Sequence, residues 1–462
     1  MTPAELIDVF NKRTIDIPIF DAVLKQGEIT ISQGYARLYL DTDGEYVLHV
    51  YGALLKRLNS PKGRTIPKSM TCYFTGRWEN RWLVEAETAI VTGLEFKPTG
   101  YDHEFKIYPR TVTFTRRTAG KKYSYKPRIE AILDYIDESI WEGATHIERR
   151  RKDQLVGKSA SVDVLEWIVD RSEIQVLKGN EVGSTISIHR AKNTSASTLE
   201  GVLKSAVKAI SLRLGKHIEV LSSFFETTGI EIVKLKCHNK TRLRHKESLP
   251  LVRNASFEQS DSKFVQLATT FFLDPENEPL SWYLRYFWDA EFGSWETREL
   301  CLGVAIELLA GFIVSDWAIA NKPNHHALKT KETLEFEQAK VAILRVLDQC
   351  SLDFRKLPHK RFYGSITGLR FSNARETLVA AGEVLGLKIT KMQTGAWSRM
   401  RNQSAHRKTK RPSFSVRIND WMICLTLFHR LALGLIGWQG DYSNYSKVNS
   451  PSEPLYPKRS KT

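Results

Sequence analysis

The chain has 462 residues, 42% of them hydrophobic and 26% charged, with a formal net charge of +16. That length exceeds one ordinary core and predicts roughly two to four domains, while the apolar content excludes a mainly disordered chain. The charge points to a polyanionic partner, nucleic acid first, with plain solubility charge as the alternative; a membrane surface is disfavoured because no basic amphipathic helix flanks an apolar anchor. In chain order, residues 1–18 contain Glu5, Asp8, Lys12, Arg13 and Asp16, which is not the pattern of a signal peptide. Residues 29–32 and 36–40 alternate apolar and polar side chains, as half-buried strands do. Residues 46–51, 70–74, 82–91 and 105–114 continue the pattern, with turns at Asp43-Gly44, Pro61-Lys62-Gly63 and Thr99-Gly100. A β-rich N-terminal domain over residues 1–122 follows, an antiparallel sandwich or barrel. Trp78, Trp82, Tyr73 and Tyr101 fill its core or present a recognition surface, core being the expectation for most.

Residues 123–278 read as a mixed α/β middle region. Ile129, Ile132, Leu133, Ile136 and Ile140 predict a helix over 128–141, and Arg149-Arg150-Arg151-Lys152 reads as a solvated helix end able to touch RNA backbone. Strands are expected at 173–177, 185–189 and 230–237, and an amphipathic helix at 198–214. A basic stretch, 238–246, carries His238 and His245, as surface or RNA contact.

From about residue 278 the pattern is almost wholly helical. Ser294 suits the N-cap of a helix running to Ala320, which the run Asn321-Lys322-Pro323-Asn324 ends. Further helices are predicted over 331–350, 366–385 and 416–436, giving an all-α bundle over 279–445. The aromatic residues Trp438, Tyr442 and Tyr445 close the last helix, as packing or as stacking surface for bases. A basic, proline-containing tail over 446–462 is expected to be disordered. The overall class is α+β and multidomain. No repeat and no GxxxxGK[ST] phosphate loop is present.

Five cysteines, Cys72, Cys237, Cys301, Cys350 and Cys424, lie far apart without a CxxC pair, which disfavours a zinc site or a disulfide framework and suits a reducing, cytoplasmic compartment. Cys301 and Cys424 sit in apolar helical runs, as buried small hydrophobes. Residues 301–320 and 421–437 are apolar enough to suggest membrane spans. Glu307 and Asp316 in the first, and His429 and Arg430 in the second, favour buried helices of a bundle. His325-His326 follows Pro323 without further ligands for a metal, and no metal or cofactor is expected.

Ahead of the last helix stands Arg401-Asn402-Gln403-Ser404-Ala405-His406. Arginine supplies a permanent cation for phosphate, and histidine a proton donor or acceptor near neutral pH. Arg399, Arg401, Arg407, Lys408, Lys410 and Arg411 surround the pair, and residues 399–411 contain no Asp or Glu. Arg399, Arg407, Lys408, Lys410 and Arg411 are the candidate RNA contacts. Chance places about one Arg-x4-His pair in such a chain, so context carries the weight; the plain alternative for His406 is a surface residue of a basic loop. On a regular helix the two residues would stand about 140° apart, so the segment is expected to be a loop, a distorted turn or a helix entry.

A C-terminal bundle with Arg-Asn-x-x-x-His ahead of its last helix resembles the HEPN superfamily of ribonucleases. The order of β-rich, mixed and helical regions is similar to the Apea-like HEPN proteins of bacterial anti-phage defence. The resemblance covers roughly 290–440 through the motif, and 1–280 only by architecture. It implies an active site of Arg401, Asn402 and His406, completed by an acid of the first bundle helix, Glu307 by helix order with Asp316 second. It further implies a homodimer in which two motifs share one cleft, transfer RNA as a target, and a phage-derived trigger.

The chemistry expected is metal-independent RNA cleavage. His406 takes the 2′-OH proton or protonates the leaving oxygen, Arg401 stabilises the phosphorane charge, and Asn402 orients one of them or binds a non-bridging oxygen. The ends would be a 2′,3′-cyclic phosphate and a 5′-hydroxyl, and DNA would resist. A non-catalytic RNA-binding or phage-sensing protein using the same basic surface is the alternative. For Glu307 the alternative is a packing or ion-pairing role.

Overall fold

The computed structural model describes residues 16–26, 28–40, 46–54, 71–78, 82–95, 103–109, 111–117, 127–133, 136, 143–151, 154–180, 183–190, 194–227, 230–236, 251, 261–289, 293–349, 364, 366, 373–405 and 412–456. The chain divides into two compact units: Met1–Ile210 with Ile218–Ser248 and Asp261–Thr270, and Ser211–His217 with Leu249–Ser260 and Phe271–Thr462.

The first unit is built on a 14-stranded antiparallel sheet whose beginning closes on itself. Strands β1 (Asp16–Gln26), β2 (Ile29–Leu40), β3 (Tyr46–Leu54), β4 (Thr71–Trp78), β5 (Trp82–Glu95) and β6 (His103–Tyr108) follow the order β4-β1-β2-β3-β6-β5, and β5 pairs with β4 again. The result is a barrel, which leaves no open edge there. Alternate residues fill it: Ile17 and Ile19, then Ala22 and Leu24 past a register shift, Ala36 and Leu38, Leu48 and Val50, Phe74, Trp78, Trp82 and Val84. Trp78 and Trp82 are therefore core, whereas Tyr73 is on the surface and donates to Glu85 Oε1 at 2.5 Å. Tyr101 lies outside the described residues.

β7 (Thr111–Arg117) pairs with both β5 and β14 (Ile230–Lys236) and carries the sheet onward. The continuation is β14, β13 (Val220–Thr227), β8 (Arg128–Leu133), β12 (Gly183–Arg190), β11 (Ser172–Asn180), β10 (Gln154–Val169) and β9 (Gly143–Arg151). Helix α1 (Ala196–Leu214) follows β12, and Lys234 Nζ of β14 reaches its Glu200 at 2.8 Å. The boundary expected at 122/123 lies outside the described residues, between β7 and β8 of this sheet. The helix expected over 128–141 begins instead as strand β8, with Ile129, Ala131 and Leu133 buried on one face, and the partly exposed Arg128 and Glu130 followed by buried Ile132 on the other. The basic run Arg149-Arg150-Arg151 is likewise in strand β9, not at a helix end.

The helices after α2 (Asp261–Leu273) are α3 (Glu278–Asp289), α4 (Trp295–Phe312), α5 (Ala318–Asn321), α6 (Pro323–Gln349), α7 (Ala374–Leu385), α8 (Lys391–Ala405) and α9 (Phe414–Leu435). A π-turn, Ile313–Trp317, joins α4 to α5. In the second unit α4 is central, packing against α3, α7, α8 and α9. Ser294 caps α4 as expected, its hydroxyl accepting from Thr297 N at 3.3 Å. Trp295–Asn321 is long and apolar enough to cross a membrane by length and composition; 50% of its most apolar stretch is buried inside the unit. The end of the chain differs from expectation. Asp441–Ser443 (β15) pairs with Ser452–Pro454 (β16), Leu455 is buried, and Tyr456 Oη donates to Leu385 O at 3.1 Å, so 446–456 is ordered. Trp438, Tyr442 and Tyr445 are buried packing residues.

Candidate active site on three helices

Arg401 lies on α8, a helix that the motif's composition concealed. Its start is a reciprocal cap: Thr390 Oγ1 accepts from Gln393 N at 3.2 Å, and Gln393 Oε1 accepts from Thr390 N at 3.0 Å. Ala396, Trp397 and Met400 are buried on its inner side. Residues 401–405 are helical, so the expected loop or distorted turn is corrected at Arg401 and Asn402; His406, Arg407, Lys408, Lys410 and Arg411 lie outside the described residues. Asn402 is exposed.

On α4, Glu299, Gly303 and Glu307 recur every fourth residue and form one stripe. Gly303 lets α8 come close: a Cβ built there would meet Arg401 Cβ at 3.7 Å. Trp397 Nε1 donates to Gly303 O at 3.0 Å, fixing the crossing. Beside it Arg401 donates to Glu307 through both arms, Nε to Oε2 at 2.7 Å and Nη2 to Oε1 at 3.1 Å. The guanidinium carbon also stands 5.8 Å from the Trp397 ring centroid. The acid placed by helix order thus meets the motif arginine. Asp316 does not: it is exposed on the π-turn, and the group it acts on is Tyr283, whose hydroxyl burial raises first and Asp316 second.

Two more guanidinium–carboxylate pairs bind the same helices. Arg399 on α8 donates to Asp420 on α9, Nε at 2.9 Å and Nη2 at 2.7 Å. Arg417 on α9 donates to Glu299 on α4 at 3.0 and 2.6 Å, with Glu296 at 3.4 Å. Trp295 Nε1 adds a 3.0 Å bond to Glu299. The hydrogen bonds to Asp420 and Glu299 raise the Arg399 and Arg417 guanidinium groups above their ordinary range. Cys424 sits among them; burial pushes its thiol far up and the Asp420 charge adds to this, so it is not a nucleophile.

No family model, no curated protein and no solved structure matches the chain. The geometry of the site therefore stands on its own residues.

The three pairs differ in exposure. Asp420 and Glu299 are 3% and 2% exposed, whereas Glu307 and Arg401 are 34% and 40% exposed. A buried carboxylate that loses its cation leaves an uncompensated charge, at about 3–5 kcal/mol, while an exposed pair is worth about 0.2–1 kcal/mol. Asp420 and Glu299 are thus permanent clamps of α8 and α4 on α9. Arg399, expected as an RNA contact, pairs with Asp420 through its Nε–Nη2 edge and is itself 53% exposed. The sequence hid this because the acid-free segment 399–411 acquires its carboxylates from residues far along the chain. The available signal was Asp420 itself, the sole acid in α9 and buried at its apolar run.

Proposed function

We propose that the chain is a metal-independent RNA endonuclease of the HEPN kind, acting in bacterial anti-phage defence by cutting host RNA, with transfer RNA as the expected target. The observation that carries the reading is the bidentate pair between Arg401 and Glu307. It aims an arginine, two-fifths exposed, from the end of α8, five positions before His406. Arg401 then holds the scissile phosphate and the charge that grows on it, and His406 moves the proton between the 2′-OH and the 5′-oxygen. Asn402, exposed on the next position, offers an amide to a non-bridging oxygen.

The alternative, a non-catalytic basic grip on RNA, is less favoured. Both described arginines of the segment are already held by carboxylates, an arrangement that orients a few groups rather than maximising positive field. The reading includes a homodimer in the cytoplasm whose cleft two motifs share, with the first unit sensing a phage-derived trigger or choosing the substrate.

Purified protein incubated with a transfer RNA pool and a chelator tests it. Cleavage leaving 2′,3′-cyclic phosphate ends, absent on DNA and lost by at least a hundredfold in both Arg401→Ala and His406→Ala, is the expected outcome. Full cleavage by His406→Ala, or strict dependence on Mg²⁺, would overturn the reading.

A further inference from the structure

We infer that Glu307 is a gate on the Nε–Nη2 edge of Arg401: its carboxylate occupies the place of a phosphodiester there and must give way before RNA takes that edge. The inference deepens the proposed function, since it takes Arg401 as a phosphate site. The geometry that supports it is the contrast among the three pairs. Carboxylate and phosphate both present two oxygens to an edge of a guanidinium, so the carboxylate on the Nε–Nη2 edge of Arg401 excludes a phosphate from that edge. At Arg399 and Arg417 exchange is closed, because Asp420 and Glu299 are 3% and 2% exposed and cannot be left behind without their cations. At Arg401 it is open. Glu307 is 34% exposed and returns to water when released. Arg401 does not need the carboxylate to stay in place: the Trp397 ring lies beside the guanidinium at 5.8 Å, and Trp397 is itself anchored to Gly303 O at 3.0 Å. Of these three arginines, Arg401 is therefore the one whose paired edge RNA can take, and Glu307 sets how tightly.

The test is equilibrium binding of one 12-nucleotide RNA, and of the DNA of the same sequence, at fixed ionic strength. All chains carry His406→Ala so that the probe stays intact. Glu307→Gln keeps the shape and removes the charge; it should tighten both probes about two- to fivefold, the value of one exposed ion pair. Arg401→Ala added to Glu307→Gln should remove the gain. Glu296→Gln is the charge-matched control on the same helix: Glu296 is 46% exposed and accepts from Arg417 at 3.4 Å, and its loss should leave binding unchanged. Equal tightening by Glu296→Gln would reduce the effect to net charge and overturn the gate. So would unchanged or weaker binding by Glu307→Gln in a chain whose melting temperature is retained. Failure of the nuclease reading looks different: the parent chain with His406 intact would not cut RNA, while the Glu307→Gln gain and its dependence on Arg401 would remain.

Discussion

At the scale of single residues, the second unit separates charges that are satisfied from one that is suppressed. His429 is the suppressed case. It is 1% exposed on α9, its ring stands 5.7 Å from Tyr445, and its Nδ1 has no hydrogen-bond partner. Burial lowers its pKa to about 3, against about 6.5 in an unfolded chain. Between those values the unfolded chain holds one proton more than the folded one, so stability rises with pH through this window. The contribution is intact above about 6.5 and declines as pH falls toward 3. From pH 7 to pH 5 the loss should be about 2 kcal/mol. Urea unfolding of the parent and of His429→Leu at both values checks it, the variant's stability falling less by that amount. Parallel pH dependence in the two chains would contradict the assignment. The clamps at Asp420 and Glu299 are common to both chains and cancel in the comparison.

At the scale of elements, close crossings decide what the helices tolerate. Gly382 of α7 lies where a Cβ would stand 2.7 Å from Leu387 O and closer still to Ile389. The chain reverses there: Gly386 takes φ 74, and Leu387 N donates to Gly382 O at 2.7 Å. Gly382→Ala should cost about 1–3 kcal/mol. Gly303→Ala, whose Cβ would find its nearest neighbour at 3.6 Å, should cost nothing and add up to about 1 kcal/mol from helix propensity. Thermal melts of the two variants test the contrast, and equal losses would show that α8 sits closer to α4 than described. The same physics explains what was legible in the sequence. Helices α4 and α9 carry long apolar runs with few charges, and both emerge where the sequence placed them. The barrel strands alternate because one face is core and the other is wet. β8 misleads because Ile132, buried at the end of a face that otherwise carries Arg128 and Glu130, joins Ile129 and Leu133 in a helical spacing. α8 was missed because Gly395 and its many polar residues mask a helix buried through only a few side chains; the Thr390 and Gln393 cap was the legible sign of it. The ordered end at Leu455 was hidden for a similar reason: one buried leucine and a three-residue strand leave no periodicity to read.

At the scale of the whole molecule, the question is whether one chain can make the proposed site. Arg401 turns toward Glu307 on its own α4, inward across the helix crossing at Gly303. The helix runs on to Ala405. A residue five positions after Arg401 along that helical path would project about 140° away from it. The proposed nuclease draws its arginine and its histidine from different chains, so that a symmetric pair of chains restores the missing partner to each. That has a consequence no folding defect imitates. Arg401→Ala and His406→Ala chains are each inactive alone. Mixed under conditions where subunits exchange, they should regain RNA cleavage, because a mixed dimer offers one arginine and one histidine from opposite chains. Random pairing makes half the dimers mixed, and each mixed dimer keeps one of the two composite sites, so recovery should reach at most about a quarter of the parent rate. Tagging one chain and measuring co-purification establishes that exchange has occurred. Recovered cleavage then places the two residues of the site on different chains. Its absence in a verified mixture would put Arg401 and His406 of the same chain on one phosphate and remove the need for a second subunit.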